Sequence, residues 1–261
     1  MKLDIRNAVW AFALAIAVTG LVTPKFAMAK PIAASGILLF NGTGTSDDVA
    51  ALESVITNNL KLDYDTVNSS QLDNMTQAQL AAYKLLIIPG GNSITIGKYI
   101  SATATTNIKN AVRENGLHYL GVCAGAFLAS YAGTSGYNDI DLLDGIWFDM
   151  FEDDPCDPAA ELLSRPNSQS SLDVYWQDGP QLTTQGGSWG TIVAEFPNGQ
   201  PAIIQGFAGN GWTLLQGVHP EAPASWRSST CNTFSMSLST DLAYSATLIS
   251  AALNGTTLQH F

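Results

Sequence analysis

Short runs rich in apolar residues alternate with helix-like segments through the first half of the chain. The predicted strands cover residues 36–40, 62–67, 85–88 and 118–122. Between and after them, apolar residues recur at the three- and four-residue spacing of an amphipathic helix. The predicted helices cover residues 47–60, 76–83, 105–114 and 123–131. Strands that alternate with helices indicate a mostly parallel sheet with helices on both faces.

The second half of the chain has a different pattern. Residues 133–171 are acidic and show no clear period, which predicts irregular structure. Further strands are predicted at residues 172–176, 191–196, 202–205 and 212–217, and a last helix at 240–253. The turn at residues 197–200 joins two of these strands, and its Asn-Gly pair is typical of a β-hairpin. No repeat or linker separates the two halves, so we expect one domain.

The first 29 residues have a pattern of their own. Lys2 and Arg6 give a basic start, residues 8–22 are mostly apolar, and Ala27-Met28-Ala29 has the small residues of a cleavage site. This order is typical of a secretory signal peptide, because the apolar run is short for a membrane span. We therefore expect residues 30–261 to form a periplasmic or secreted domain without a membrane span. The alternative is an uncleaved N-terminal anchor.

Composition narrows the function further. Of the 261 residues, 46% are hydrophobic and only 13% are charged, which excludes a disordered chain. The formal net charge of −11 argues against a nucleic-acid partner. All three cysteines, Cys123, Cys156 and Cys231, follow the predicted cleavage site. An odd number in an oxidising compartment predicts one disulfide and one free thiol.

Cys123 stands where a predicted strand turns into a predicted helix. Gly121 and Gly125 flank it at two residues on either side, and a tight turn around a nucleophile requires small neighbours. A helix N-terminus favours a thiolate, and the Ala124 N–H would point to where an oxyanion develops. We interpret Cys123 as a candidate nucleophile. The alternative is a buried core cysteine at the end of a strand.

A thiolate nucleophile needs a base that carries its proton. The chain has three histidines, of which one begins a predicted strand and another is the penultimate residue. The third, His219, directly follows an apolar strand, and Glu221 is near enough to bind its imidazole and fix the tautomer. This pattern predicts a Cys123–His219–Glu221 constellation. The alternative is a surface-loop histidine beside an unrelated acid.

A glycine pair provides a candidate for a second oxyanion donor. Gly90 and Gly91 directly follow the buried strand at residues 85–88, so they reach the same edge of the sheet as Cys123. Glycine lets a backbone N–H approach a reacting oxygen closely. We expect the N–H of Gly90 or Gly91 to bind the oxyanion together with the N–H of Ala124. The alternative is an ordinary strand-to-helix turn.

Three motifs together resemble class I glutamine amidotransferase-like proteins: Ile87-Ile88-Pro89-Gly90-Gly91, Gly121-Val122-Cys123-Ala124-Gly125-Ala126 and His219-Pro220-Glu221. The chain is more similar to the N-terminal domain of eukaryotic biotin–protein ligases and its stand-alone bacterial relatives, in which a loop like residues 41–46 also follows the first strand. The resemblance covers residues 35–132 well and is patchy to about 253. It implies an α/β flavodoxin-like three-layer sandwich with a mostly parallel sheet, and it implies a triad of Cys123, His219 and Glu221.

One position departs from the amidotransferase pattern. Phe127 stands where those proteins usually have a glutamine that helps to hold the substrate glutamine. The fold and the thiol chemistry therefore transfer more safely than the substrate, and we do not expect biotin ligation. The motifs assign Cys123 as the free thiol, which leaves Cys156 and Cys231 as the predicted disulfide.

The sequence thus predicts an exported thiol-dependent hydrolase or amidotransferase-like enzyme that acts on an amide or related acyl bond. We expect a small-molecule or peptide substrate, no cofactor and no metal, because the acidic residues near 149–157 lack calcium-loop spacing. One alternative is a non-catalytic protein that binds a ligand or peptide on the same fold. Another is redox or aldehyde chemistry at the thiol. The substrate and the oligomeric state stay open.

Overall fold

The computed structural model describes residues 36–130, 136–143, 145–151, 155–164, 171–184 and 189–259. All of them belong to one compact unit, Pro31–Phe261. The predicted signal peptide and His260 lie outside the described residues. Within the part of the chain that the structure covers, no helix has the length and apolar character needed to cross a membrane.

Eleven strands are found among the described residues. They are β1 Ile37–Phe40, β2 Tyr64–Val67, β3 Leu85–Ile88, β4 His118–Val122, β5 Ile146–Met150, β6 Ala159–Leu163, β7 Leu172–Trp176, β8 Pro180–Thr184, β9 Thr191–Glu195, β10 Pro201–Ala208 and β11 Gly211–Gln216. The helices are α1 Asp48–Ser54, which continues as a π-helical turn at Val55–Asn59, α2 Ser69–Asp73, α3 Gln77–Leu80, α4 Ser93–Tyr99, α5 Ala102–Asn115, α6 Ala124–Ala129, α7 Ala224–Arg227 and α8 Leu238–Asn254.

Seven strands form the central sheet, in the order β2-β1-β3-β4-β11-β10-β9. The first five run parallel, β10 pairs antiparallel with β11, and β9 pairs antiparallel with β10. β1 and β3 contain only Ile, Leu and Phe and are buried throughout, as strands covered on both faces must be. The β9–β10 pair is the predicted hairpin, so that prediction is confirmed.

Two apolar clusters separate the faces of the sheet. α1, its π turn and α8 pack on one face around Leu52, Ile56 and Ile249. The longer α5 packs on the other face, where Ile108 and Val112 meet inward side chains of the strands. Helices, sheet and helices form three layers, and the predicted flavodoxin-like α/β architecture is confirmed.

The segment predicted as irregular contains regular structure. β5 pairs with β8, and β6 pairs with β7, in two small antiparallel sheets outside the central one. β6 buries every residue except Leu162, and this pattern lacks the alternation that identifies a strand in sequence. The expectation of irregular structure across residues 133–171 is therefore wrong for Ile146–Met150 and Ala159–Leu163.

A disulfide joins Cys156, just before β6, to Cys231, which follows α7, with 5.9 Å between their Cα atoms. Cys123 is free and buried. This is the pairing that the sequence motifs assign. The bond ties the small β6–β7 sheet to the segment that follows His219 and Glu221 in the chain.

Candidate active site

Four neighbouring parallel strands bring the predicted site residues to one edge of the sheet. The adjacent strands β1, β3, β4 and β11 end there in the same direction. The segments that follow them carry Asp48, Gly90 and Gly91, Cys123, and His219. The chain order reverses between β1 and β3, and a sheet of this kind forms its ligand crevice at such a switch point.

Cys123 occupies a strained turn between β4 and α6. Its φ of 45° and ψ of −100° lie outside the regions that side chains ordinarily adopt. A Cβ on Gly121 would lie 2.6 Å from Gly125 O, and one on Gly125 would lie 2.1 Å from Ile88 O. The two flanking glycines are therefore required by close backbone packing.

Two hydrogen bonds hold His219 in place, one made by its backbone and one made by its ring. Its N–H donates to Tyr175 O over 2.8 Å, and its Nδ1 lies 2.7 Å from Glu221 Oε1. Only 5% of His219 and 1% of Glu221 are exposed, so the surface-loop alternative does not describe them. Cys123 lines the same cleft as His219, and the interaction between the two side chains contributes to the raised pKa of His219.

Asp48 is a fourth member of the site, and the sequence analysis missed it. The carboxylate is fully buried, its Oδ2 accepts the Gly90 N–H over 2.5 Å, and its Oδ1 lies 3.6 Å from His219 Nδ1. The sequence placed Asp48 in the first turn of a helix, where an acid favours the helix dipole. The sequence could have indicated that Asp48 is buried, because helical spacing puts it on the same face as Leu52 and Val55, which are buried.

The Gly90 contact corrects one prediction. Its N–H is committed to Asp48, so Gly90 is not available as an oxyanion donor. Gly91 remains a candidate beside Ala124, and it lines the same cleft as Cys123. Its φ of 143°, and the 2.2 Å that would separate a Cβ from Gly44 O, explain why a glycine is needed there.

The buried carboxyl groups of Asp48 and Glu221 have pKa values shifted in opposite directions. Burial first, and the charge of Asp48 next, raise the pKa of Glu221 to about 8. Burial alone would raise the pKa of Asp48 as well, but the contact with His219 and the charge of that ring hold it below the ordinary value. Burial likewise opposes a charged His219, yet the contacts with Asp48, Cys123 and Glu221 raise its pKa well above 6.5.

The directions of these pKa shifts favour an ionised Asp48, a protonated His219 and a neutral Glu221 near neutral pH. Asp48 Oδ1 has no hydrogen-bond partner with ordinary geometry among the described residues, and a proton on Glu221 supplies one. The two carboxyl groups therefore act as a pair that shares a proton beside His219.

Three side chains of the site also have the spacing of metal ligands. Asp48, His219 and Glu221 each offer an atom within 4.8 Å of the others, a spacing that a metal ion can bridge. The same groups already interact with one another, His219 with Glu221 through a hydrogen bond of 2.7 Å and with Asp48 as an ion pair at 3.6 Å.

Cys123 and His219 open into a cleft of about 370 Å³. Tyr175 and Trp226 stand over the imidazole, with ring centroids 6.1 and 5.9 Å away. Asp47 and Asp178 supply negative charge to the cleft walls. The cleft thus gives a substrate access to the buried Cys123 thiol and to the buried His219 imidazole.

Residues 35–136 match the family model described as the N-terminal part of biotin–protein ligase. A search of the curated proteins gives no match. Among solved structures, a glutamine amidotransferase superposes with a TM-score of 0.56 at 20% identity, over 71% of this chain and 90% of that one. A cytoplasmic protein from Salmonella typhimurium has a TM-score of 0.52 at 16% identity, over 82% and 98%. An exo-β-1,4-mannosidase from Opitutaceae bacterium strain TAV5 has a TM-score of 0.52 at 12% identity, over 83% and 36%.

At these identities the solved structures show a shared fold. That fold, with its mostly parallel seven-stranded sheet, is the class I glutamine amidotransferase-like fold. Within this class, residues 35–136 are similar to the N-terminal part of biotin–protein ligase.

Proposed function

We propose that this protein is an exported thiol-dependent enzyme, a hydrolase or amidotransferase-like enzyme that acts on an amide or related acyl bond. One observation carries the proposal. Cys123, in a strained strand-to-helix turn, lines the same cleft as His219, and His219 Nδ1 is held 2.7 Å from Glu221. A nucleophile, a base and a group that orients the base are the parts that covalent acyl transfer needs.

The chemistry follows from these positions. Cys123 Sγ attacks the carbonyl carbon, its proton having passed to His219, and a C–S bond forms. The oxyanion is held by the N–H groups of Ala124 and Gly91. His219 gives its proton to the leaving nitrogen as the C–N bond breaks. Water, deprotonated by His219, then attacks the thioester, releases the acid and restores the thiol.

The buried carboxyl pair supports the histidine through this cycle. Glu221 fixes the ring orientation through Nδ1, and Asp48 supplies the negative charge that stabilises the imidazolium. Asp48 also fixes the backbone of the glycine loop through Gly90. The base and the oxyanion loop therefore share one anchor.

Localisation and partners form part of the same proposal. The signal-peptide pattern of residues 1–29 supports export to the periplasm or beyond. The Cys156–Cys231 disulfide supports it independently, because such bonds persist in oxidising compartments. The cleft dimensions suit a small molecule or a peptide end, and the acidic charge argues against nucleic acid.

A second candidate function is ligand binding without catalysis. Phe127, which stands where amidotransferases usually have a substrate-holding glutamine, favours it. The two candidates differ in what they require of Cys123. Catalysis requires a reactive thiol, whereas binding does not.

The experiment is a hydrolysis screen of amides, peptides and activated esters with wild type, Cys123→Ala and His219→Ala. We expect turnover by wild type, in the presence of EDTA as well, and loss of it in both variants. Turnover that survives in His219→Ala would favour redox or aldehyde chemistry at the thiol. Turnover that survives in Cys123→Ala, or disappears with EDTA, would contradict the proposal.

A further inference from the structure

A second cavity, of about 520 Å³, adjoins the reactive cleft. Both are lined by Gly91 and Asp178, so they lie side by side at the glycine loop. The second cavity has a different character. Its remaining described lining is Asn92, Ser93, Ile94, Phe127, Tyr137, Phe148 and Met150, which is mostly apolar.

The apolar side chains of this cavity include an aromatic pair and two exposed aliphatic residues. Phe127 and Phe148 pack edge to face with ring centroids 4.6 Å apart. Ile94 is 49% exposed and Met150 is 37% exposed, which makes them two of the few large apolar residues on the described surface. Exposed apolar side chains around one concavity mark a place where an apolar group is bound.

The positions of the proton donor and of the oxyanion donor indicate which part of the substrate lies in each cavity. His219 must give a proton to the leaving nitrogen, so the leaving group lies on its side, in the cleft with Tyr175 and Trp226. The acyl group must then extend past Gly91, where the oxyanion is held. Phe127, one helical turn beyond Cys123, lines the space in that direction.

We propose that the cavity lined by Ile94, Phe127 and Phe148 binds the acyl part of the substrate, and that this acyl group is apolar, with a phenyl or alkyl terminus. The inference rests on the proposed function. It also identifies Phe127 as a specificity residue, because an aromatic ring there removes the amide partner that a glutamine side chain would use. No lysine or arginine is among the described residues that line the cavity of Ile94, Phe127 and Phe148, which fits an apolar acyl group there.

Chloromethyl ketones test the inference without a known substrate. The thiolate displaces chloride and forms a C–S bond, while the ketone oxygen takes the place of the acyl oxygen. We compare a reagent with a phenyl-terminated acyl chain and one with a carboxamide-terminated chain of equal length. Iodoacetamide serves as the reference without an acyl chain. Rates at Cys123 are measured by mass spectrometry and divided by the rates with a free model thiol.

We expect the phenyl reagent to modify Cys123 at least roughly tenfold faster than the carboxamide reagent, which is what a few buried carbon atoms supply. Ile94→Gln should remove most of this preference. Leu162→Gln is the matched control, because Leu162 is also 49% exposed but does not line the cavity. It should leave the preference unchanged.

The outcomes separate the two proposals. Equal rates for the two ketones at a Cys123 that reacts readily with iodoacetamide would overturn the apolar acyl site and leave the thiol enzyme intact. A preference that Ile94→Gln and Leu162→Gln affect equally would also overturn it. A Cys123 that reacts with none of the reagents faster than a model thiol would overturn both.

Discussion

The backbone N–H of Gly90 donates a hydrogen bond to the Asp48 carboxylate over 2.5 Å, in the interior of the protein. The other oxygen of this carboxylate lies 3.6 Å from His219 Nδ1. One buried side chain thus touches both the loop proposed to hold the oxyanion and the proposed base. Asp48 is therefore central to how the site is assembled, although it follows a different strand from either group.

Replacing Asp48 tests that role. In Asp48→Ala, the Gly90 N–H and the His219 imidazolium lose their partner, so we expect acylation of Cys123 by an activated ester to slow by about 100-fold. The His219 titration, followed by NMR, should move to lower pH because the nearby negative charge is gone.

Asp47→Ala is the matched control, because Asp47 is adjacent in sequence and lines the cleft. It should leave the acylation rate and the His219 titration nearly unchanged. Equal effects of the two substitutions would show that general cleft charge, and not the buried contacts of Asp48, supports the reaction.

Glu221 makes stability depend on pH. Its pKa is raised from 4.5 to about 8, so between these values the folded protein holds a proton that the unfolded chain has lost. The resulting stabilisation is complete below pH 4.5 and is lost as the pH rises through 8. Glu221→Gln keeps a neutral side chain of similar shape but does not titrate.

We therefore expect the free energy of unfolding of wild type to fall as the pH rises from about 5 to 8.5. This fall should exceed that of Glu221→Gln by at least about 1 kcal/mol. Urea titrations at several pH values measure this difference. Asp241, whose pKa is raised to about 7, titrates in both proteins and cancels in the comparison. Parallel curves would mean that Glu221 is ionised in the folded protein throughout.

The space around Gly90 is the subject of a third prediction. A Cβ at this position would lie 2.7 Å from His219 Cε1 and 3.1 Å from Asp48 Oδ2. Gly90→Ala should push the imidazole out of line and lower the acylation rate by about 100-fold, because sub-ångström misplacement of a base is costly. Gly199→Ala is the control for a strained alanine away from the site: its φ is 79°, but its Cβ would meet nothing within 4 Å, so the acylation rate should not change. Full activity in Gly90→Ala would contradict the observed packing of the ring.

The disulfide gives a prediction about stability alone. Cys156 and Cys231 are 75 residues apart in sequence, and a loop of this length restricts the unfolded chain strongly. The double variant Cys156→Ser/Cys231→Ser should lose about 3 kcal/mol of unfolding free energy in a denaturant titration. Cys123→Ser should leave the bond in place on non-reducing mass mapping. A bridge found at Cys123 would contradict the assignment.

The parallel half of the fold could be predicted because its signals are local. Leu85–Ile88 and His118–Val122 are short apolar runs between helices, and the structure has them as strands with those same bounds. The small sheets could not be predicted. Met150 and Leu162 leave apolar side chains exposed on their strands, which breaks the pattern that identifies a half-buried strand.

The site could be predicted only in part. Cys123 and its glycines are recognisable because backbone geometry restricts every position around the turn. The partnership of Asp48 with Gly90 and His219 depends on the strand order, which brings together residues 42 and 171 positions apart. Sequence reasoning also assumed that an available N–H at Gly90 would face the substrate, whereas it faces the protein interior.

The central claim is that Cys123 forms a covalent acyl intermediate with the help of His219. The most direct measurement is the intact mass of the protein quenched in acid shortly after mixing with 4-nitrophenyl acetate, with peptide mapping of the adduct. The account predicts one acetyl group, on Cys123, in wild type, none in Cys123→Ala and a strongly slowed reaction in His219→Ala. A wild-type protein whose Cys123 stays unmodified, or acquires acetyl no faster than a free model thiol, would contradict it.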